Sequence, residues 1–241
     1  MNLKYLVPNG FTALSLVLGL ASVAQSATGH FETAAWLVLW CVLLDKLDGG
    51  AARMLNASSE FGAEMDSFAD FVGFGLAPAA LIYFLRTGGT MHPGDGMVAG
   101  TCAIYVLAVA IRLARFNVRE PEGGALLFFG VPTTCSGALI ASGFLAATFH
   151  GLDQVLVGAW PAILVVLGAA MVSNIRIPKF SLRWSKPVNA VQLGTIAFVY
   201  ICVPLQVFPG VMFGLGSAYL LVGATWAALR ADEVIAEESQ G

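Results

Sequence analysis

The stretch Thr33-Ala-Ala-Trp-Leu-Val-Leu-Trp-Cys-Val-Leu-Leu-Asp45-Lys-Leu-Asp48-Gly-Gly-Ala-Ala-Arg53-Met54 begins as an apolar run and ends on carboxylates, glycines and an arginine. It has the length of about 20 residues that a bilayer-crossing helix needs. Comparable runs occupy 11–27, 64–85, 97–117, 128–149, 154–172, 190–208 and 211–229, with short Gly, Pro, Asn or charged stretches between them. The chain therefore reads as an all-α polytopic membrane helix bundle of about eight transmembrane helices. The first run follows Lys4 with no small-residue cleavage pattern behind it, so it is expected to be a permanent span.

Composition points the same way. Hydrophobic residues make up 58% of the 241 residues and Asp, Glu, Lys and Arg only 11%, against about 25% charged residues in a soluble domain. Mean hydropathy is +0.80. The net charge of −3 offers no basic face to a nucleic acid. The four cysteines, Cys41, Cys102, Cys135 and Cys202, sit singly in apolar runs, a spacing that suggests neither a zinc site nor a disulfide framework. No stretch between the runs is long enough to hold a soluble domain, so residues 1–241 are expected to form one membrane domain. The last residues, from Glu233, read as a frayed acidic tail.

The cations set the orientation. With the N-terminus in the cytoplasm, Lys4, Lys46, Arg53, Arg112, Arg115, Arg119, Arg176, Lys179, Arg183, Lys186 and Arg230 fall at or near cytoplasmic ends, and only Arg86 falls outside. That bias follows the positive-inside rule, and an even span count brings the C-terminus inside as well. His30, His92 and His150 then lie on the outer side. Chemistry at the cytoplasmic face must do without histidine, the commonest general base.

The densest polar group spans the end of the second run and the start of the third: Asp45, Asp48, Gly49, Gly50, Ala52, Arg53, then Gly62, Asp66 and Asp70. Asp45 and Asp48 are three apart and Asp66 and Asp70 four apart, so each pair shares a helix face. Two antiparallel helices joined by a short turn would bring all four together. Carboxylates so placed at membrane depth need a counter-charge, and hard oxygen ligands suit Mg²⁺, Mn²⁺ or Ca²⁺, with room for two cations. Small residues alone are ordinary helix-packing positions in membranes, but packing needs no carboxylates. Arg53 reads either as a structural salt bridge or as a phosphate ligand.

The pattern Asp45-x2-Asp48-Gly49-x2-Ala52-Arg53-x8-Gly62-x3-Asp66-x3-Asp70 resembles the signature of the CDP-alcohol phosphatidyltransferase family, with every defining position filled. The resemblance implies an all-helical membrane bundle, a homodimer, and a site open to the cytoplasm at the cell membrane. It implies that Asp45, Asp48, Asp66 and Asp70 hold divalent cations, Mg²⁺ or Mn²⁺, with Asp70 also the general base. Asp48, Gly49, Ala52, Arg53, Gly62 and Asp66 would contact the CDP portion of CDP-diacylglycerol. Pro8-Asn9 resembles the approach to the family's first helix and would put Asn9 near the site.

Further stretches resemble the branch of the family that uses serine as acceptor: Ser58-Ser-Glu-Phe-Gly62 leading into Asp66-Ser-Phe-Ala-Asp70, Arg112-Leu-Ala-Arg115-Phe116-Asn117, and Met171-Val-Ser173-Asn174-Ile-Arg176-Ile-Pro178. The resemblance covers about 5–185, including Gly130-Val-Pro132, and leaves two extra helices at about 190–230. Where that branch continues Val-Ser-Phe-Gly, this chain reads Val72-Gly73-Phe74-Gly75. Transfer of a phosphatidyl group to L-serine, releasing CMP, is the expectation. The acceptor candidates are Arg112, Arg115, Asn117, Ser173, Asn174 and Arg176. Arg112 and Arg115 lie inside a span, where a cation needs a partner or a task, and a guanidinium fork matches a carboxylate. Arg119 and Lys179 fit snorkelling to the membrane edge. Glycerol phosphate, inositol phosphate or choline remain alternative acceptors. A cation or proton transporter is the rival of another class, though no acidic ladder reaches the outer face.

Overall fold

The computed structural model describes residues 3–89, 95–119, 127–179 and 186–238. Helix α1 spans Leu6–Ala27 and α2 Phe31–Met54. Helix α3, Glu60–Asp70, runs through a π segment, Phe71–Leu76, into α4, Ala77–Thr87. There follow α5 (Gly96–Arg119), β1 (Leu127–Phe129), α6 (Thr133–Phe149), α7 (Asp153–Leu156), α8 (Trp160–Val172), β2 (Arg176–Pro178), α9 (Lys186–Leu205) and α10 (Pro209–Glu238).

Helix α1 shows how a membrane helix inverts the usual pattern. Its buried residues are Pro8, Thr12, Ser15, Gly19, Ser22 and Ser26, a small-residue seam spaced alternately four and three apart. Leu14, Val17 and Leu20 are exposed and face the surroundings that a bilayer supplies. The seam lets α1 lie close against α2, where Ser22 Oγ donates to the Ala34 carbonyl at 2.8 Å. Close packing and such hydrogen bonds, rather than hydrophobic exclusion, hold helices together in lipid.

The core is centred on α6, in which eleven residues are buried, Ile140 and Phe144 among them. Around it pack α2, the π segment and α10. Helices α5 and α8 pair through small residues; a Cβ on Gly168 would sit 3.4 Å from the Ala108 Cβ. The π segment is wider than an α turn, and Tyr105, fully buried, donates its hydroxyl to the Phe74 carbonyl at 2.8 Å. Such segments recur at functional sites, and this one begins at the residue after Asp70.

Three features depart from the expected spans. The fifth run starts as a strand, because β1 pairs antiparallel with β2 (Leu127↔Pro178, Phe128↔Ile177, Phe129↔Arg176). Gly130 then turns the chain at φ +74°, where a Cβ would collide with the Met171 carbonyl, and α6 begins only at Thr133. The sixth run is split into α7 and α8, and α8 has 13 residues, roughly 20 Å against a hydrocarbon core of about 30 Å. Among the described residues five helices are long and apolar enough to cross a membrane: Leu6–Ala27, Glu60–Thr87, Gly96–Val118, Lys186–Leu205 and Pro209–Leu229. Helices α6 and α8 are apolar but shorter, and α2 has the length but carries Asp45, Lys46 and Asp48. The chain is a multi-pass membrane protein. The expected tail from Glu233 continues α10 to Glu238, since Glu and Ala are good helix formers. His92 and Arg183 lie outside the described residues.

Candidate active site

The α2–α3 corner carries the site. Helix α2 ends at Met54, Asn56 takes a left-handed conformation at φ 47°, and Ser59 caps α3 by accepting from the Gly62 N–H at 3.0 Å. This cap satisfies an otherwise unpaired N–H and fixes where α3 starts. Gly62 sits in a tight spot: a Cβ would lie 3.1 Å from Ser59 Oγ and 3.3 Å from Asn9 Oδ1, so these side chains would have to give way by a few tenths of an ångström. Asn9, at the head of α1, thus adjoins Gly62, and Lys4 Nζ donates to the Asn56 carbonyl at 3.3 Å.

With the corner so folded, ligand oxygens of Asp45, Asp48 and Asp66 come within 4.8 Å of one another. Asp48 is buried and held from two sides. Thr12 Oγ1 donates to its Oδ2 at 2.8 Å, and the Gly49 N–H donates to its Oδ1 at 2.6 Å. Asp45 Oδ2 lies 3.3 Å from Lys46 Nζ but, although buried, accepts no hydrogen bond among the described residues. Asp70 lies one turn beyond Asp66; its Oδ2 accepts from Thr133 Oγ1 at 3.2 Å, and the charges of Asp45 and Asp66 bear on it. Four carboxylates against the Lys46 ammonium and the Arg112 guanidinium leave an excess of negative charge. Hard oxygen donors gathered in such excess fit a divalent cation.

Arg53 is exposed and makes no ion pair among the described residues, so the salt-bridge reading has no counterpart. Its guanidinium instead lies along Gly49, where a Cβ would be 3.6 Å from Nη1. Ala52 is half-buried on the same turn.

The acceptor candidates separate into distinct groups. Arg112 is 8% exposed, lies over the Phe116 ring at 5.8 Å, interacts electrostatically with Asp70, and its buried Nε has no partner among the described residues. Arg115 is committed elsewhere: Nη1 donates to the Val172 carbonyl at 2.8 Å and Nη2 to Asn174 Oδ1 at 2.7 Å. This clamp closes the C-terminal end of α8, whose last carbonyls lack helical partners. Asn117 donates to Ser67 Oγ at 2.9 Å, tying α5 to the carboxylate helix. Ser173 turns back on the Ala170 carbonyl at 2.7 Å. Arg176 sits on β2 opposite Phe129, and Lys179 Nζ lies 5.0 Å from the Phe128 ring centroid.

Gly73, where the resemblance led to an expected Ser, packs into the α1–α2 seam. A Cβ there would lie 3.2 Å from the Cys41 Cβ, and one on Gly19 would be 3.1 Å from the Gly73 Cα. Glycine at this position permits a close three-way helix approach. Thr12, Lys46 and Thr133 join the site although the motif does not include them. The signals for two of them are local: Thr12 is one turn after Asn9, and Thr133 follows Gly130-Val-Pro132 at a helix start.

The CDP-alcohol phosphatidyltransferase family matches residues 5–172. A CDP-diacylglycerol–serine O-phosphatidyltransferase of Helicobacter pylori is 36% identical over 225 residues, covering 92% of this chain and 91% of the relative. A protein of the same name from Methanocaldococcus jannaschii is 32% identical over 169 residues, covering 70% and 72%. An archaetidylserine synthase of Methanothermobacter thermautotrophicus is 31% identical over 175 residues, covering 72% and 70%.

Proposed function

We propose that this chain, which belongs to the CDP-alcohol phosphatidyltransferase family, transfers the phosphatidyl group of CDP-diacylglycerol to L-serine, giving phosphatidylserine and CMP. The observation that carries the reading is the packing of Asp45, Asp48 and Asp66 into one cluster beside Asp70 and the buried Arg112. The relatives named as serine phosphatidyltransferases and archaetidylserine synthase support the choice of acceptor.

In this reading Asp70, oriented by Thr133, takes the proton of the serine hydroxyl. The freed oxygen attacks the lipid-linked phosphorus, the bond from that phosphorus to the CMP oxygen breaks, and CMP leaves with the electron pair. Divalent cations, Mg²⁺ or Mn²⁺ and two in number, held by Asp45, Asp48, Asp66 and Asp70, would neutralise the pyrophosphate charge. Arg53, above the small residues Gly49 and Ala52, binds a donor phosphate, with Asn9 and Gly62 lining the approach of the CDP portion. Arg112, whose buried Nε has no partner among the described residues, pairs with the serine carboxylate. Arg115, Asn174 and Ser173 build the wall behind it. The clustering of cations at one set of helix ends supports a site facing the cytoplasm, in the cytoplasmic membrane.

The test is incorporation of radiolabelled serine into lipid by the purified protein with CDP-diacylglycerol and Mn²⁺ or Mg²⁺. Glycerol phosphate, inositol phosphate and choline are run as competing acceptors. Transfer to one of these in preference to serine would overturn the assignment of acceptor; absence of CMP release with any of them would overturn the reaction. Cross-linking in native membranes tests the homodimer expected from the family resemblance.

A further inference from the structure

Helix α9 lies beyond the matched residues 5–172 and touches the bundle lightly. Only Cys202 and Val203 are buried on it among the described residues. Yet its Tyr200 reaches across 157 positions of sequence to donate its hydroxyl to the Leu43 carbonyl of α2 at 3.1 Å. Leu43 is two residues before Asp45, and Lys46 is on the same helix face as Leu43, one turn on. The charges of Lys46, Asp45 and Asp48 all act on the Tyr200 phenol. The Leu43 carbonyl also belongs to the α2 hydrogen-bond ladder, so Tyr200 braces the turn that presents Asp45 and Asp48.

We infer that Tyr200 is a positioning residue for the carboxylate site, holding the Leu43–Asp48 turn of α2 so that Asp45 and Asp48 converge on one divalent cation. The inference rests on the reading of these carboxylates as a cation site. It gives the C-terminal helices a task in the reaction: α9 supports from outside the matched region a site built within it. Tyr200 touches no substrate in this account and acts through the α2 backbone.

The experiment compares wild-type protein, Tyr200→Phe, Val203→Ala and Asp48→Asn in detergent. The readouts are Mn²⁺ binding by calorimetry, the Mn²⁺ concentration for half-maximal transfer, and KM for serine. Tyr200→Phe keeps the ring and loses only the hydroxyl. Its Mn²⁺ dissociation constant and half-activating concentration should each rise about three- to tenfold, the range of one lost hydrogen bond, while KM for serine stays within about twofold. Val203→Ala removes apolar bulk from the buried side of α9, one turn on from Tyr200, without touching the bond; it should lower Tm and leave Mn²⁺ binding unchanged. Unchanged Mn²⁺ binding in Tyr200→Phe, or an equal loss in Val203→Ala, would overturn the inference while leaving the cation site standing. Wild-type protein that bound Mn²⁺ no better than Asp48→Asn would overturn the cation site itself, and the inference with it.

Discussion

Helices α6 and α9 are both apolar, yet they play opposite parts in the bundle. In α6 eleven of 17 residues are buried; in α9, of 20 residues, only Cys202 and Val203 are. The contrast extends to their surroundings. Helix α6 contributes Thr133 to the Asp70 carboxylate and is walled in by α2, the π segment and α10. Helix α9 leans on that core lightly, its specific tie being Tyr200 to Leu43, whereas α10 packs along α6 and is tied to β2 by Tyr219, which donates to the Pro178 carbonyl at 2.6 Å, and by Gly223 against the Pro178 ring. Apolar composition in a membrane chain therefore does not identify the core. Small residues and hydrogen bonds do, because lipid covers a leucine as well as another helix can.

The largest expected effect belongs to the core. Asp70→Asn should keep the fold and CDP-diacylglycerol binding and lower turnover at least about 100-fold, the usual range for loss of a general base. Single-turnover assays with equilibrium binding of the CDP-lipid measure both; a variant that kept a substantial share of wild-type turnover would remove Asp70 from the base role.

Next come the two arginines of α5. Arg112→Lys should raise KM for serine about tenfold or more, since a charge-assisted hydrogen bond contributes roughly 1.5–3 kcal/mol. Arg115→Lys should instead lower thermal stability and change KM for serine little, because its fork clamps Val172 and Asn174. If the two variants exchange phenotypes, the acceptor carboxylate lies at the end of α8.

A smaller effect is expected at Thr12. Thr12→Val keeps the shape but leaves Asp48 Oδ2 without its donor, and the Mn²⁺ needed for half-maximal activity should rise by about three- to tenfold. An unchanged metal titration would mean that the Gly49 N–H alone orients Asp48.

The smallest effect belongs to the periphery. Tyr219→Phe removes the tie from α10 to β2, and hydrogen bonds between membrane helices average about 0.6 kcal/mol. Tm should fall by no more than about 2–4 °C, with both KM values and kcat unchanged. A kinetic effect here would show that α10, like α9, reaches the site.

Much of the fold and of the site is legible in the sequence because it is local. Runs of about 20 apolar residues announce membrane helices, and carboxylates three and four apart share a helix face whatever surrounds them. Asp45, Asp48 and Asp66 meet because a short corner between two helices leaves them little else to do. That position 73 is glycine is visible in the sequence, but its consequence is not: the glycine packs between α1 and α2, which no window along the chain reports.

Spacing within one or two helices thus suffices for the class of the fold, the carboxylate motif and the polar end of the bundle. The choice between Arg112 and Arg115 required the packed bundle. The two are three residues apart on nearly the same face of α5, and the end of α8 engages one fork and leaves the other. Packing likewise decides that Leu127–Phe129 pairs as a strand, that Thr12 and Thr133 hold the carboxylates, and that Tyr200 braces α2 from α9. Each of these joins segments far apart in the chain, where the partner is set by how the helices meet. In a bilayer the lipid-facing and buried sides are both apolar, so hydropathy carries no record of which residues touch.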